Sequence, residues 1–153
     1  KNYLLNSLGK NSLFSQNQNK PTEKTLIHIR KTDYVKLGED LSETFYTNAI
    51  NEIIKEDKNF KYDIFTDEKK PSSDSKLYKN AENVNTNSGE NPIVTFSKMM
   101  NYKNYIIANS TFSLLPAYLS YSSDSIVIYP EPWTKHSQFI PPVEKIWRAI
   151  KNN

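Results

Sequence analysis

The chain has 153 residues, with 20 Lys and Arg set against 17 Asp and Glu, a net charge of +3 and a mean hydropathy of -0.71. That length suits one domain with its own core, and a small, scattered charge argues for solubility and against a nucleic-acid footprint. The absence of cysteine excludes disulfides, thiolate catalysis and cysteine-ligated zinc, and fits a reducing, cytoplasmic compartment.

In chain order, residues 1–23 are rich in Asn, Ser, Gln and Lys and read as a lead-in or linker, with an α/β domain over 24–153. Residues 24–30 form the first predicted strand, whose apolar run ends in His28-Ile29-Arg30-Lys31-Thr32-Asp33-Tyr34. Leu41, Phe45, Ala49, Ile50, Ile53 and Ile54 recur at helical spacing behind Ser42, a natural N-cap, and predict a helix over 41–55. A second strand over 63–66 is stopped by Asp67-Glu68-Lys69-Lys70-Pro71. A short helix over 72–80 and a polar loop over 83–89 follow.

Phe96, Met99 and Met100 suit an amphipathic helix over 93–102, and residues 105–108 a third strand. A helix over 111–121 contains Pro116, which should kink it or sit in its first turns. Residues 125–129 form a fourth strand, Pro130, Pro132 and Trp133 a loop, and residues 143–150 a closing helix. This alternation predicts an α/β fold, a Rossmann-like open parallel sheet with helices on both faces. Right-handed crossovers then bring residues 28–33, 66–68, 109–113 and 130–133 to one sheet edge, where such folds bind ligands.

The chemistry of that edge suits an anion. Arg30 offers a planar fork to phosphate oxygens and Lys31 a point charge, although a surface ion pair with Asp33 is the plainer use. His28 lies out of phase with Ile27 and Ile29; it is either a structural residue or part of the site. Asn109-Ser110-Thr111-Phe112-Ser113 falls at a strand-to-helix junction, where backbone amides and hydroxyls cradle phosphate or simply cap the helix. Asp67 and Glu68 suit a ribose, a base or an acceptor, or else a helix cap or a turn. Only Gly9, Gly38 and Gly89 are glycines, so neither a dinucleotide fingerprint nor a Walker loop is present. His28 and His136 stand apart from each other, and no metal site is expected.

These residues together resemble the α-1,2-fucosyltransferase family. Its His-x-Arg-Arg-x-Asp-Tyr motif is similar to His28-Ile29-Arg30-Lys31-Thr32-Asp33-Tyr34, and its Phe-Ser-Asp-Asp to Phe65-Thr66-Asp67-Glu68. Its Ile-Ile-Ala-Asn-Ser-Thr-Phe-Ser resembles residues 106–113, and its Ile-Val-x-x-Pro-x-x-Trp residues 126–133. Lys31 stands where the family has a second Arg, Thr32 where Gly is usual, and Thr95 where an acidic residue is common. Leu114-Leu115-Pro116-Ala117-Tyr118 replaces Trp-Trp-Gly-Ala-Trp.

The resemblance implies the donor-binding half of a GT-B-like glycosyltransferase, inverting and metal-independent. It would use GDP-fucose and a galactoside acceptor, and need no cofactor. Arg30 would meet the leaving β-phosphate, His28 would help hold the donor, and Ser110, Thr111 and Ser113 would line the diphosphate. Asp33 is a candidate base. The chain is about half the length of a typical member, so the acceptor-side lobe is expected outside it. Such an enzyme works at or near the inner face of a membrane, and Trp133, Lys135 and Trp147 suggest a peripheral contact. A non-catalytic sugar-nucleotide-binding module, or a transferase of another nucleotide sugar, is the alternative.

Overall fold

The stretch Thr25-Leu26-Ile27-His28-Ile29 is buried along its whole length, which only a central strand covered on both faces can be. The computed structural model describes residues 2–10, 22–86, 89–136 and 139–152. This strand, β1 (Thr22–Ile29), lies inside a six-stranded sheet. Its partners are β2 (Tyr62–Thr66), β3 (Asn83–Asn85), β4 (Tyr102–Ile106), β5 (Val127–Glu131) and β6 (Arg148–Lys151), in the order β3-β2-β1-β4-β5-β6. Every pairing is parallel, so all strand C-termini share one edge. The chain winds outward through β2 and β3, then crosses back over β1 to start β4. The gap between β1 and β4 is therefore the topological switch point.

Helices cover both faces. On one side α3 (Glu43–Glu56), capped by the Ser42 hydroxyl accepting from the Phe45 amide, packs Phe45, Tyr46, Ala49 and Ile53 against Ile27, Ile29 and Ile64. α4 (Lys76–Lys79) adds Leu77 to this layer. On the other side α5 (Pro92–Met99) and α6 (Thr111–Ser120) set Met99, Leu114 and Ala117 against Leu26, Phe65, Tyr105 and Ile107. Pro116 lies inside α6 without ending it. α1 (Asn2–Gly9) brings Leu5 and Leu8 against Met100 and Leu119, so residues 2–9 are helical and pack on the domain. α2 (Thr32–Leu37) joins β1 to α3. Among the described residues no helix is long and apolar enough to cross a membrane.

The structure corrects several elements. The polar loop expected over 83–89 contains β3, a short edge strand whose side chains are exposed or half-buried. The helix expected over 143–150 is replaced by an irregular segment and β6. Trp147 is drawn in edge-on against Tyr121, with ring centroids 5.8 Å apart, and residues 148–151 then pair with β5. Trp133 and Trp147 are both buried in the core, so a membrane contact would not run through their indoles.

Candidate functional site

The site begins where β1 runs out. Arg30 follows the last strand residue, and its guanidinium is held by two carboxylates. Nε and Nη2 donate to the two oxygens of Asp33, each at 2.9 Å, and Nε lies 3.1 Å from Asp67 Oδ2. Arg30 holds the Asp33 carboxyl below its usual range, and Asp33 raises Arg30 in return. Asp67 comes from the end of β2, yet it caps α2. Its carboxylate accepts from the Lys31 amide at 2.8 Å, the Thr32 amide at 3.3 Å and the Thr32 hydroxyl at 2.5 Å. Anions stabilise a helix start in this way, and α2 has no capping bond from Lys31, its own N-cap residue.

α2 ends at Gly38, whose φ of +69° is left-handed, the conformation in which glycine is least strained. The next residue ties this turn to the far side of the site. The Glu39 carboxylate accepts from the Lys135 and His136 amides at 2.8 and 3.2 Å, and its backbone carbonyl accepts from Asn109 Nδ2 at 2.9 Å.

Across the switch point, α6 starts at Ser110, an extended residue whose hydroxyl accepts from the Phe112 amide at 3.3 Å. The first-turn amides of α6 thus face the same edge as Arg30, with the positive end of the helix dipole. Tyr34 spans the gap between the two. Its ring lies under the Arg30 guanidinium, with Cζ 5.6 Å from the centroid, and its hydroxyl donates to the Asn109 carbonyl at 2.9 Å.

His28 is buried beneath this edge, 6.3 Å from the Phe112 ring. Burial pushes its pKa down to about 4, with Asp67 opposing and Arg30 reinforcing the shift. It is therefore neutral near pH 7 and supplies no cation. Among the described residues its Nδ1 has no hydrogen-bond partner, and neither has Asn109 Oδ1. Unpaired buried polar atoms cost of order 1–3 kcal/mol each, and two of the seven among the described residues lie at this edge.

The model of the family described as "Glycosyl transferase family 11" matches residues 4–150. The chain belongs to glycosyl transferase family 11. A curated relative, the alpha-1,2-colitosyltransferase of Escherichia coli, is 30% identical over 143 residues, covering 85% of this chain and 48% of the relative. The chain thus spans about half the length of that relative. No solved structure matches it.

In this family 11 chain the sequence-derived candidates divide. Arg30 touches both Asp33 and Asp67, and the 109–111 turn carrying Asn109, Ser110 and Thr111 is joined to them through Tyr34. Lys31 and Glu68 turn elsewhere. The Lys31 ammonium lies 3.0 Å from Asp40 and 3.4 Å from the Leu41 carbonyl, and Glu68 accepts from the Tyr78 hydroxyl. Both line a separate cavity of about 520 Å³ with Tyr46, Leu77 and Tyr78. Ser113 is buried, and its hydroxyl lies 3.2–3.3 Å from the Ser110 and Ala108 carbonyls, inside its own helix start. Sequence reasoning missed Tyr34 and Glu39. For Tyr34 a signal existed, since it closes the motif that runs from His28 through Arg30 and Asp33. For Glu39 none did.

Proposed function

We propose that this chain is the donor-binding lobe of an inverting, metal-independent glycosyltransferase that moves fucose from GDP-fucose to a galactoside hydroxyl in an α-1,2 linkage. The observation that carries the reading is the switch point itself. Arg30 stands on one side of it and the N-terminus of α6 on the other, so a cation and an amide cradle converge where open α/β sheets bind nucleotides. Their combined charge suits a diphosphate.

As the bond between the sugar carbon and the β-phosphate oxygen breaks, the electron pair passes to that oxygen. Arg30 and the α6 amides stabilise the charge that develops there. Asp33 has a linked part. While it holds the guanidinium it is a weak base. A phosphate that takes over the Arg30 fork releases the Asp33 carboxylate, which then accepts the proton of the incoming hydroxyl. His28, neutral and under-partnered, offers one ring nitrogen to the donor, and Asn109 offers its carbonyl oxygen.

A second reading is favoured by the relative's name. Colitose is fucose without its 3-hydroxyl, so a family 11 chain is compatible with either sugar. A donor panel of GDP-fucose, GDP-colitose and UDP-galactose against a galactoside acceptor separates them. In the protein that carries both lobes, GDP-fucose is expected to give product, and Arg30→Ala to lower kcat/KM by roughly 10²–10³-fold. Preference for GDP-colitose selects the second reading, and full activity in Arg30→Ala contradicts both.

A further inference from the structure

We infer that Tyr34 is a positioning residue, a strut that sets the separation between the Arg30 guanidinium and the amide cradle of α6 so that both reach one diphosphate. The inference rests on the diphosphate reading above and assigns a role to a residue that touches no reacting atom.

α2 is held in place by its two ends. None of its residues is buried, so no core contact anchors it. Its start is tied through Asp67 to β2, and the turn after it through Glu39 to Lys135 and His136. Tyr34 is the half-buried side chain of the helix, and it points across the switch point. Two contacts at opposite ends of one rigid ring define the span. The ring face carries the Arg30 guanidinium at 5.6 Å, and the hydroxyl donates to the Asn109 carbonyl at 2.9 Å. Asn109 immediately precedes the cap residue Ser110, whose amide is itself fixed on the Ala108 carbonyl at 2.7 Å. A displacement of the phenol is thus a displacement of Arg30 relative to the helix start.

Chemistry makes tyrosine apt for this. Its two-torsion side chain has little freedom to lose, its face attracts a cation and its hydroxyl donates to a carbonyl. The Arg30 carboxylate partners cannot do the same job. Asp33 lies on α2 and Asp67 just past the end of β2, both on the Arg30 side of the gap. A phosphate that replaces Asp33 on the fork leaves the tyrosine face in contact with the guanidinium, so the strut persists when the carboxylate departs.

Calorimetric titration of the chain with GDP and with GMP tests this. GMP meets the α6 cradle alone, whereas GDP spans both sides, so the ratio of the two affinities reports the span. Tyr34→Phe removes only the hydroxyl's bonds to Asn109 and Ser110 and is expected to reduce the preference for GDP over GMP roughly 2- to 10-fold. Tyr34→Leu also removes the ring face and should reduce it a further ~2- to 5-fold. In both variants GMP affinity stays near that of the wild type. A merely structural tyrosine would weaken both nucleotides in parallel, and that result, or an unchanged ratio, overturns the inference. A wild-type chain that does not distinguish GDP from GMP removes the diphosphate site and the strut together. A wild-type preference that survives in both variants removes the strut alone.

Discussion

The two ends of the same sheet carry charged clusters of opposite character. At the N-terminal end, Asp63 is buried and fully partnered. It accepts from Lys24 Nζ at 3.2 Å, Asn83 Nδ2 at 3.0 Å and the Tyr102 hydroxyl at 2.8 Å. Lys24 continues to Glu82 at 2.7 Å, which also meets Lys61 at 2.7 Å, and these two lysines hold the Glu82 carboxyl down to about 2. At the C-terminal end, Arg30 is paired with carboxylates near solvent while His28 Nδ1 and Asn109 Oδ1 lack partners among the described residues. A closed network of this kind ties strands together. An open one keeps capacity for a ligand, and that contrast separates a stabilising cluster from a site.

The largest effect expected from this contrast lies at the closed end. Asp63→Ala leaves the Lys24 ammonium and Tyr102 hydroxyl without their shared acceptor, and urea unfolding should show a loss of about 3 kcal/mol or more. GDP affinity at pH 7, measured below the unfolding transition, should be preserved. A loss of nucleotide affinity without a loss of stability would erase the distinction between the two ends.

At the open end the expected stability effect is pH-dependent. His28 has a folded pKa of about 4 against an ordinary 6.5, so the unfolded chain binds the extra proton over that interval. Its contribution is complete above pH 6.5 and is lost as pH falls toward 4, by about 3 kcal/mol. Denaturant titrations at pH 7 and pH 4 should therefore show a smaller acid loss in His28→Gln than in the wild type. Equal acid losses would mean that His28 titrates normally.

The smallest expected effect is at the helix start. Ser110→Ala removes the cap on the Phe112 amide and should cost about 1 kcal/mol. It should also weaken GDP, whereas an equally mild cap change at Ser42, which caps α3 and not the helix of the amide cradle, should leave GDP binding alone. Comparing unfolding curves and GDP titrations of the two variants checks this.

Much of the contrast could be read in the chain itself. The run from Leu26 to Ile29 followed by Arg30 marked a buried strand delivering charge to an edge, and Ser110 marked a helix start beside it. Periodicity could not reveal α2, because no residue of that helix is buried. β3 escaped notice because Asn83 and Asn85 are polar residues on an edge strand. Val143, Ile146, Trp147 and Ile150 have helical spacing, but Trp147 is held by Tyr121 and the following residues find a strand partner in β5. At the site, residue type identified cations but not their aim. Lys31 and Arg30 are adjacent and equally charged, yet Asp40 and the Leu41 carbonyl hold Lys31 away from the cluster. Such partners come from distant turns and leave no local trace.

Thermal unfolding of the chain with GDP or UDP, each with and without chelator, tests the central claim most directly when run beside Arg30→Ala. A ligand at about 100 times its dissociation constant adds about 2.7 kcal/mol. A metal-free GDP-sugar site at Arg30 requires stabilisation by GDP over UDP, undiminished by chelator and lost in Arg30→Ala at an unchanged ligand-free midpoint. Equal stabilisation by UDP, or a GDP effect that survives in Arg30→Ala, would contradict it.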